Sequence, residues 1–284
     1  RLHRGGVDWR LCYCIMREIH PQEGWCVSHL FFQVDRASWW NLSEEERLRR
    51  KEAFSALLTD FRQREPRQGF TYSLWGLKAD FAVMLIGPEL QELNRFEYTL
   101  LDSLGPGILR CSDSFVSLTE TSEYISQERD YDRTLREKEG LSPESPRYQE
   151  KMALFRERMQ VYINERLYPK VPEHSVWCFY PMNKRRGDQD NWYLLDFDSR
   201  KRYMAGHAVT GRKFQAQVKQ LVTGSIGLDG WEWGVTLFAD DPYQVKKLLY
   251  EMRYDEASAR FGEFGKFYLG MRLDPLELFQ RLGV

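Results

Sequence analysis

Apolar and polar positions alternate, or apolar ones crowd into short runs, at Arg10–Ile19 (RLCYCIMREI) and Trp25–Val34 (WCVSHLFFQV). Both are rich in the aromatic and β-branched residues that suit a pleated, half-buried surface, so both are predicted strands. Beyond Asn41 and Ser43 the period changes to that of a helix. Leu48, Ala53, Phe54, Leu57, Leu58 and Phe61 form one stripe, and Glu44, Glu45 and Glu46 sit at its positive end. Strands are predicted again at Phe70–Gly76 and Phe81–Ile86, then a helix from Pro88 to about Leu101, ended by Gly105-Pro106-Gly107. Ile108–Leu118 closes the series as a strand.

From Glu120 to Gln160 the text becomes charged and helix-prone, broken by Gly140, Pro143 and Pro146, and is expected to form an exposed connector. The first plan then repeats. A strand at Val176–Met182 precedes a helix from Asp198 to about Gln217. Strands at Val218–Ile226 and Trp231–Phe238 flank a GLDG turn, and a helix at Pro242–Met252, a strand at Phe264–Met271 and a closing helix at Asp274–Arg281 follow. The order β-α-β-β-α-β, which is that of ferredoxin-like units, thus occurs twice. The expected fold is α+β: a first unit over residues 1–120, a connector over 121–165 and a second unit over 166–284.

Composition changes this picture little. With 41 basic and 42 acidic side chains the formal charge is −1, which gives no electrostatic reason to expect nucleic acid or an anionic membrane surface. No window reaches the ~18 apolar residues of a membrane span. The opening RLHRGGVDWR has no apolar signal core, so a cytoplasmic chain is expected; lacking an initiator Met, it reads as trimmed or a fragment. Cys12, Cys14, Cys26, Cys111 and Cys178 make no metal-binding spacing and are expected to be small reduced core residues.

Candidate chemistry gathers in the second unit. His207 shares a helical stripe with Tyr203, Met204, Gly211, Phe214 and Val218. On the residues alone it is a groove histidine or a metal ligand. Gly206 and Gly211 each cost helix stability, roughly 1 kcal/mol against Ala, and thin the helix where the imidazole projects. A flat macrocycle would use such a bare surface. Tyr180, Met182 and Lys184 lie on one face of a strand, and Pro181 suggests a strand edge or end. Gln220, thirteen positions after His207, belongs on a following strand rather than on the same helix. Trp231 and Trp233 are placed on one strand face. There is no C-x-x-C-H for covalent haem and no glycine-rich nucleotide loop.

The strings FYPMNKRR (Phe179–Arg186), MAGHAVTGRKF (Met204–Phe214), LDGWEWGVTLFADDP (Leu228–Pro242) and YEMRYDEASARFGEFG (Tyr250–Gly265), in this order, closely resemble the coproheme decarboxylases of the chlorite dismutase family. The resemblance runs from about Gly24 and is dense from Arg166 to Leu273. It implies two ferredoxin-like domains of the dimeric α+β barrel type. It makes His207, in H-x-x-T-G-R, the proximal ligand to iron, Tyr180 the redox-active residue and Lys184 the group that positions the reacting propionate. Arg166, Arg253 and Ser258 match further propionate contacts, and Trp233 matches a pocket tryptophan. Gln220 falls where chlorite-decomposing relatives carry arginine; a neutral carboxamide offers hydrogen bonds without the cation that would hold chlorite.

The implied activity is oxidative decarboxylation of iron coproporphyrin III (coproheme) to haem b, driven by hydrogen peroxide through a tyrosyl radical, with the substrate acting as its own cofactor. A chlorite dismutase-like haem peroxidase and a non-catalytic haem carrier are the alternatives. The resemblance further implies a cytoplasmic homopentamer in transient contact with a ferrochelatase.

Overall fold

The computed structural model describes residues 19–284. The strand expected at Arg10–Ile19 and the cysteines Cys12 and Cys14 fall almost wholly outside the described residues. In chain order the elements are β1 (Cys26–Val34), α1 (Arg36–Trp40), α2 (Glu44–Gln63), β2 (Gln68–Leu74), β3 (Phe81–Gly87), α3 (Leu90–Asp102) and β4 (Leu109–Thr119). The connector holds α4 (Glu128–Arg133) and α5 (Pro146–Leu167). The second half holds β5 (Val176–Lys184), α6 (Phe197–Arg212), β6 (Val218–Gly224), β7 (Trp233–Ala239), α7 (Pro242–Met252), α8 (Glu256–Phe261), β8 (Gly262–Phe264), β9 (Tyr268–Leu273) and α9 (Pro275–Leu282).

All strand pairings are antiparallel, and they run β7-β6-β4-β1-β3-β2-β9-β5-β8, with β7 also paired to β5. That last pairing closes eight strands into a barrel and leaves β8 as a short extension beside β5. Within the ring, β4-β1-β3-β2 and β9-β5-β7-β6 each have the strand order of a ferredoxin-like unit. The two units are joined by β2–β9 and β4–β6.

Period-two alternation decides what lies inside. Val27, Phe31, Tyr72, Phe115, Trp177, Phe179, Leu221 and Phe238 fill the barrel. His29 is buried among them, its Nε2 3.0 Å from Thr236 Oγ1 and its ring stacked on Phe179 at 4.1 Å. Outside the first half, Phe54, Leu58 and Phe61 of α2, Leu93 and Leu100 of α3, and Leu278 and Phe279 of α9 cover Leu30, Phe32, Phe81, Val83 and Leu85. Outside the second half, Val245, Leu248 and Met252 of α7 cover Cys178, Val235 and Leu237.

Several expectations are corrected. The helix of His207 is capped by Asp196 rather than Asp198 or Ser199, because the Asp196 carboxylate accepts the Ser199 N–H at 2.8 Å. It ends at Arg212, not Gln217, since the next residues form tight turns such as Phe214 N–H to Gly211 C=O at 3.1 Å. Pro181 is not at an edge: β5 is paired on both sides, and Pro181 occupies the point where its neighbour changes from β9 to β8, so its missing N–H costs no ladder bond there. The strand predicted over Phe264–Met271 is two strands. A side chain at Gly265 would come within 2.7 Å of Pro181 and 2.9 Å of Trp231, and the chain breaks pairing at that close approach. Trp231 precedes β7 and packs against the barrel cluster, so it does not share the face of Trp233. Cys26 and Cys178 are buried, whereas Cys111 is exposed on β4.

Candidate active site

The outer face of β5, β7 and β6 beneath α6 is unlike the rest of the barrel surface. The register sets Tyr180 opposite Val235, Met182 opposite Trp233, Trp233 opposite Gly224 and Gln220 opposite Leu237, so these residues share that face. Helix α6 buries none of its side chains and packs chiefly on α7 and α8 rather than on the strands below. Gly206 has no neighbour within 4 Å of where a Cβ would stand. A Cβ at Gly211 would stand 3.2 Å from Met252 Cε and 3.8 Å from Gln220 Nε2, so the Gln220 carboxamide lies close to the end of the helix that carries His207.

The enclosed end of this cleft, about 40 Å³, is lined by Tyr180, Met182, Lys184, His207, Arg253 and Ser258 together with Leu248, Leu249, Met252 and Phe264. Tyr180, Lys184, His207, Arg253 and Ser258 thus meet in one place. The His207 side chain is 31% exposed, and its Nδ1 lies 3.1 Å from Asp255 Oδ2 and 3.4 Å from Ser258 Oγ. Asp255 is also the N-cap of α8: its Oδ1 accepts the Ser258 N–H at 3.2 Å. Burial alone would raise the Asp255 carboxyl; the bonds from His207 and Ser258 outweigh it and hold the group below the usual carboxylate range. A carboxylate on Nδ1 fixes the ring and leaves Nε2, which has no partner among the described residues, as the nitrogen open to a ligand.

Lys184 stands at the end of β5, 9% exposed. Its ammonium lies 4.5 Å from the centre of the buried Trp192 ring. Burial lowers it to about 8, against the pull of Asp255 and Glu232 in the other direction. Tyr180 is held above the ordinary phenol range by burial, with Cys178 adding and Arg253 opposing. Its ring stacks on Phe267 at 4.4 Å, and its hydroxyl has no hydrogen-bonding partner among the described residues. The Arg253 guanidinium stacks on Phe264 at 3.8 Å.

Arg166 and Trp233 are not at this end. Arg166 sits in the last turn of α5, over the Tyr162 ring at 5.4 Å. Trp233 donates its indole N–H to Glu120 Oε1 at 3.1 Å. Both neighbour a second, wider concavity of about 370 Å³, lined by Glu23, Leu118, Glu120, Leu167, Gly224 and Ile226 among others. Burial raises Glu120 although the Trp233 N–H acts in the opposite sense. Its lining holds no histidine, lysine or arginine, and Glu120 gives it an acidic side chain. The register of Gly224, Trp233 and Met182 nevertheless puts it along the same sheet face as Tyr180.

Asp255, Trp192 and Glu232 were not singled out in the sequence. Asp255 carries a helix-start signal in DEAS, but nothing in the text pairs it with a histidine 48 positions earlier. No group of three or more His, Cys, Asp or Glu side chains suited to a metal ion exists among the described residues. A lone imidazole with one free nitrogen instead suits a metal whose remaining ligands arrive with a macrocycle. Helix α6 buries none of its side chains, Gly206 meets nothing within 4 Å of a Cβ, and Lys184 and Arg253 supply cations for acidic side arms. The donor set fits an iron porphyrin. The enclosed 40 Å³ is far below the roughly 300–1,000 Å³ of ordinary ligand sites, so a ring would occupy the open part of the cleft as well.

The chlorite dismutase family model matches residues 47–273. The chain is 40% identical over 268 residues to a coproheme decarboxylase of Thermus thermophilus, covering 93% of this chain and 96% of the relative. It is 38% identical over 265 residues to a coproheme decarboxylase of Staphylococcus carnosus, covering 92% and 97%. It spans only 40% of the length of a relative from Natronomonas pharaonis, to which it is 40% identical over 264 residues. Among solved structures, a heme-binding protein from Thermus thermophilus superposes with a TM-score of 0.76 at 38% identity, over 94% of this chain and 100% of that one. A chlorite dismutase from Candidatus Nitrospira defluvii gives 0.69 at 16% identity, over 93% and 97%, which bears on the fold alone.

Proposed function

The chain belongs to the chlorite dismutase family, and within it we propose that the protein is a coproheme decarboxylase, converting iron coproporphyrin III to haem b with hydrogen peroxide. The observation that carries this reading is the meeting of Tyr180, Lys184 and His207 around one cleft, with Gln220 on the same sheet face in β6. Gln220 argues against the chlorite reading, because a neutral amide gives an anionic oxidant no counter-charge.

His207 would hold the substrate's iron through Nε2, with Asp255 keeping the ring in place. Lys184 and Arg253 would pair with propionates, and Arg166, Ser258 and Trp233 would border the rest of the ring. When bound, the iron porphyrin supplies the peroxide chemistry that takes electrons from Tyr180 and from the substrate's side arm. Tyr180 keeps its proton at neutral pH, so losing an electron entails losing the proton from Oη. Lys184, which burial lowers to about 8, is chiefly the ammonium that pairs with a propionate at neutral pH, and its smaller neutral fraction can take a proton at Nζ. The oxidised Tyr180 oxygen then takes a hydrogen atom from the β-carbon of the adjacent propionate. Loss of one further electron and of carbon dioxide leaves a vinyl group. Each propionate gives up two electrons, matching one peroxide, and two cycles complete the product. The same reading makes the working enzyme a cytoplasmic homopentamer in transient contact with a ferrochelatase; family likeness is its support.

The test is mass analysis of the protein loaded with iron coproporphyrin III and titrated with peroxide. The expected result is stepwise loss of two carboxyl groups by the native chain. Tyr180→Phe should bind the porphyrin and return it unchanged. Unchanged porphyrin with the native chain would reject the reading.

A further inference from the structure

Among the described residues, the buried rings of the barrel cluster that can lose an electron are Tyr72, Trp177 and Tyr268. The Tyr72 hydroxyl and the Trp177 indole N–H have no hydrogen-bond partner. Tyr268, 3% exposed, differs: its hydroxyl donates to Asp113 Oδ2 at 2.5 Å. Asp113 belongs to β4, and its side chain, 42% exposed, lies 3.6 Å from the Lys266 ammonium. A phenol gives up an electron more readily when a positioned base stands ready for its proton, and Asp113 is such a base. Neither Tyr72 nor Trp177 has one.

Tyr268 is also the ring that adjoins the site. In the β5–β9 register it lies opposite Phe179, and both side chains turn into the barrel. One residue along, Tyr180 and Phe267 turn outward together and stack at 4.4 Å. Tyr180 and Tyr268 are thus diagonal neighbours on adjacent strands and on opposite faces of the sheet, linked through the Phe267 ring and one peptide. On its inner side the Tyr268 ring stacks on Phe31 at 3.7 Å, so it is held in place by aromatic packing as well as by Asp113.

We infer that Tyr268 is a second oxidisable tyrosine, which takes the oxidising equivalent from Tyr180 across the sheet and holds it as a phenoxyl beside Asp113. The source of that equivalent rests on the reading given above: hydrogen peroxide acting through a bound iron porphyrin. In the step, Tyr268 passes one electron to the oxidised Tyr180 oxygen and its Oη proton to Asp113 Oδ2. Tyr180 takes the electron together with the proton it had given up and is a phenol again. Tyr268 is left one electron short, and Asp113 is neutral. The transfer competes with removal of hydrogen from a propionate, so it prevails when no propionate stands at Tyr180. The equivalent then rests inside the barrel, away from the porphyrin and next to a carboxylate that reaches solvent.

The experiment uses the full chain loaded with haem b, which has already lost the two propionates assigned to Tyr180, mixed with hydrogen peroxide and rapidly frozen. High-field electron paramagnetic resonance with ring-deuterated tyrosine identifies the radical; a hydrogen bond to a phenoxyl oxygen lowers the g value along the C–O axis. A hydrogen-bonded tyrosyl signal is expected in the native chain. It should be lost in Tyr268→Phe and fall several-fold in Asp113→Asn, which keeps an oxygen for the hydroxyl but takes up no proton. Asp113 is partly exposed, so this variant keeps the test open should Tyr268→Phe not fold. Tyr180→Phe, which removes the donor of the equivalent, should lower the signal as well. Tyr148 of α5 makes a similar bond, to Asp132 at 2.5 Å, but packs in the connector's own cluster, and Tyr148→Phe should leave the signal intact. A signal that survives Tyr268→Phe and Asp113→Asn, one undiminished in Tyr180→Phe, or a radical on Trp233 instead overturns the proposal. Haem b asks nothing of decarboxylation, so this result stands apart from the product mass that decides the decarboxylase reading.

Discussion

The main helices of the two ferredoxin-like units, α2 and α6, follow the first long strand of their unit and lie over the outer face of the same barrel, yet they do opposite things. Helix α2 drives Phe54, Leu58 and Phe61 into the first half's outer core, where Phe54 meets Phe81 and Phe279 edge-on at 6.0 and 5.1 Å. Helix α6, at the matching place, buries nothing and carries Gly206, His207 and Gly211. One unit uses the position as structure and the other as a site. The difference lies in side-chain volume: three phenylalanine- or leucine-sized anchors close the first face, and two glycines hold the second open. Duplication of a fold does not duplicate its chemistry; the half that gives up packing gains the cleft.

Four outcomes test this contrast, in falling order of expected effect. Phe54→Ala, by chemical denaturation, should lose about 3–5 kcal/mol, the cost of emptying a fully buried aromatic site. A loss comparable with that of an exposed substitution would break the contrast at its structural end. The second test concerns the barrel interior that the two units share. Burial lowers His29 to about 3 from an unfolded value of 6.5. The unfolded chain therefore binds more protons than the folded one between those values. Stability from this group is complete above pH 6.5 and drains away as pH falls toward 3, at up to about 1.4 kcal/mol per unit. His29→Gln, which cannot titrate, should flatten that limb in acid unfolding. Third, His207→Ala should cost the ligand-free chain less than about 1 kcal/mol, because the ring is partly exposed and touches little beyond Asp255 and Ser258, while abolishing axial ligation of bound iron porphyrin in its absorption spectrum. Last, Gly206→Ala should raise thermal stability by about 0.5–1 kcal/mol, since a methyl meets nothing within 4 Å and the helix gains propensity. A loss would mean that α6 is more tightly packed than α2's counterpart should be.

Much of the fold was legible along the chain because strands and helices write their periods locally. The alternation in WCVSHLFFQV and the stripe of Leu48 to Phe61 needed no partner to be read. Gln220 reads as a strand residue from the pattern of its own run, and it lies in β6; Tyr180, Met182 and Lys184 do share one face of β5. Misreadings came where a neighbour from elsewhere intervened. Pro181 resembled an edge residue until β8 and β9 were seen to divide one side of β5 between them. Gly265 broke a strand because Pro181 and Trp231 crowd it. Trp231 and Trp233 part company because the strand begins only at the second. Of the candidate site, Tyr180, Lys184, His207, Arg253 and Ser258 come together, while Arg166 and Trp233 border the wider concavity beside Glu120.

What the sequence by itself determined were the properties that neighbours in the chain create: the twofold β-α-β-β-α-β plan, the thinned helix around an imidazole, a charge balance without bias, and family membership through ordered strings. Tertiary structure decided which of those residues meet. The pairing of β7 with β5 closes the barrel, and a capping aspartate from α8 reaches the histidine of α6. A glutamate before β7 anchors the lysine of β5 from 48 residues away. Such contacts depend on the packing of elements distant in the chain, and a local period carries no record of them.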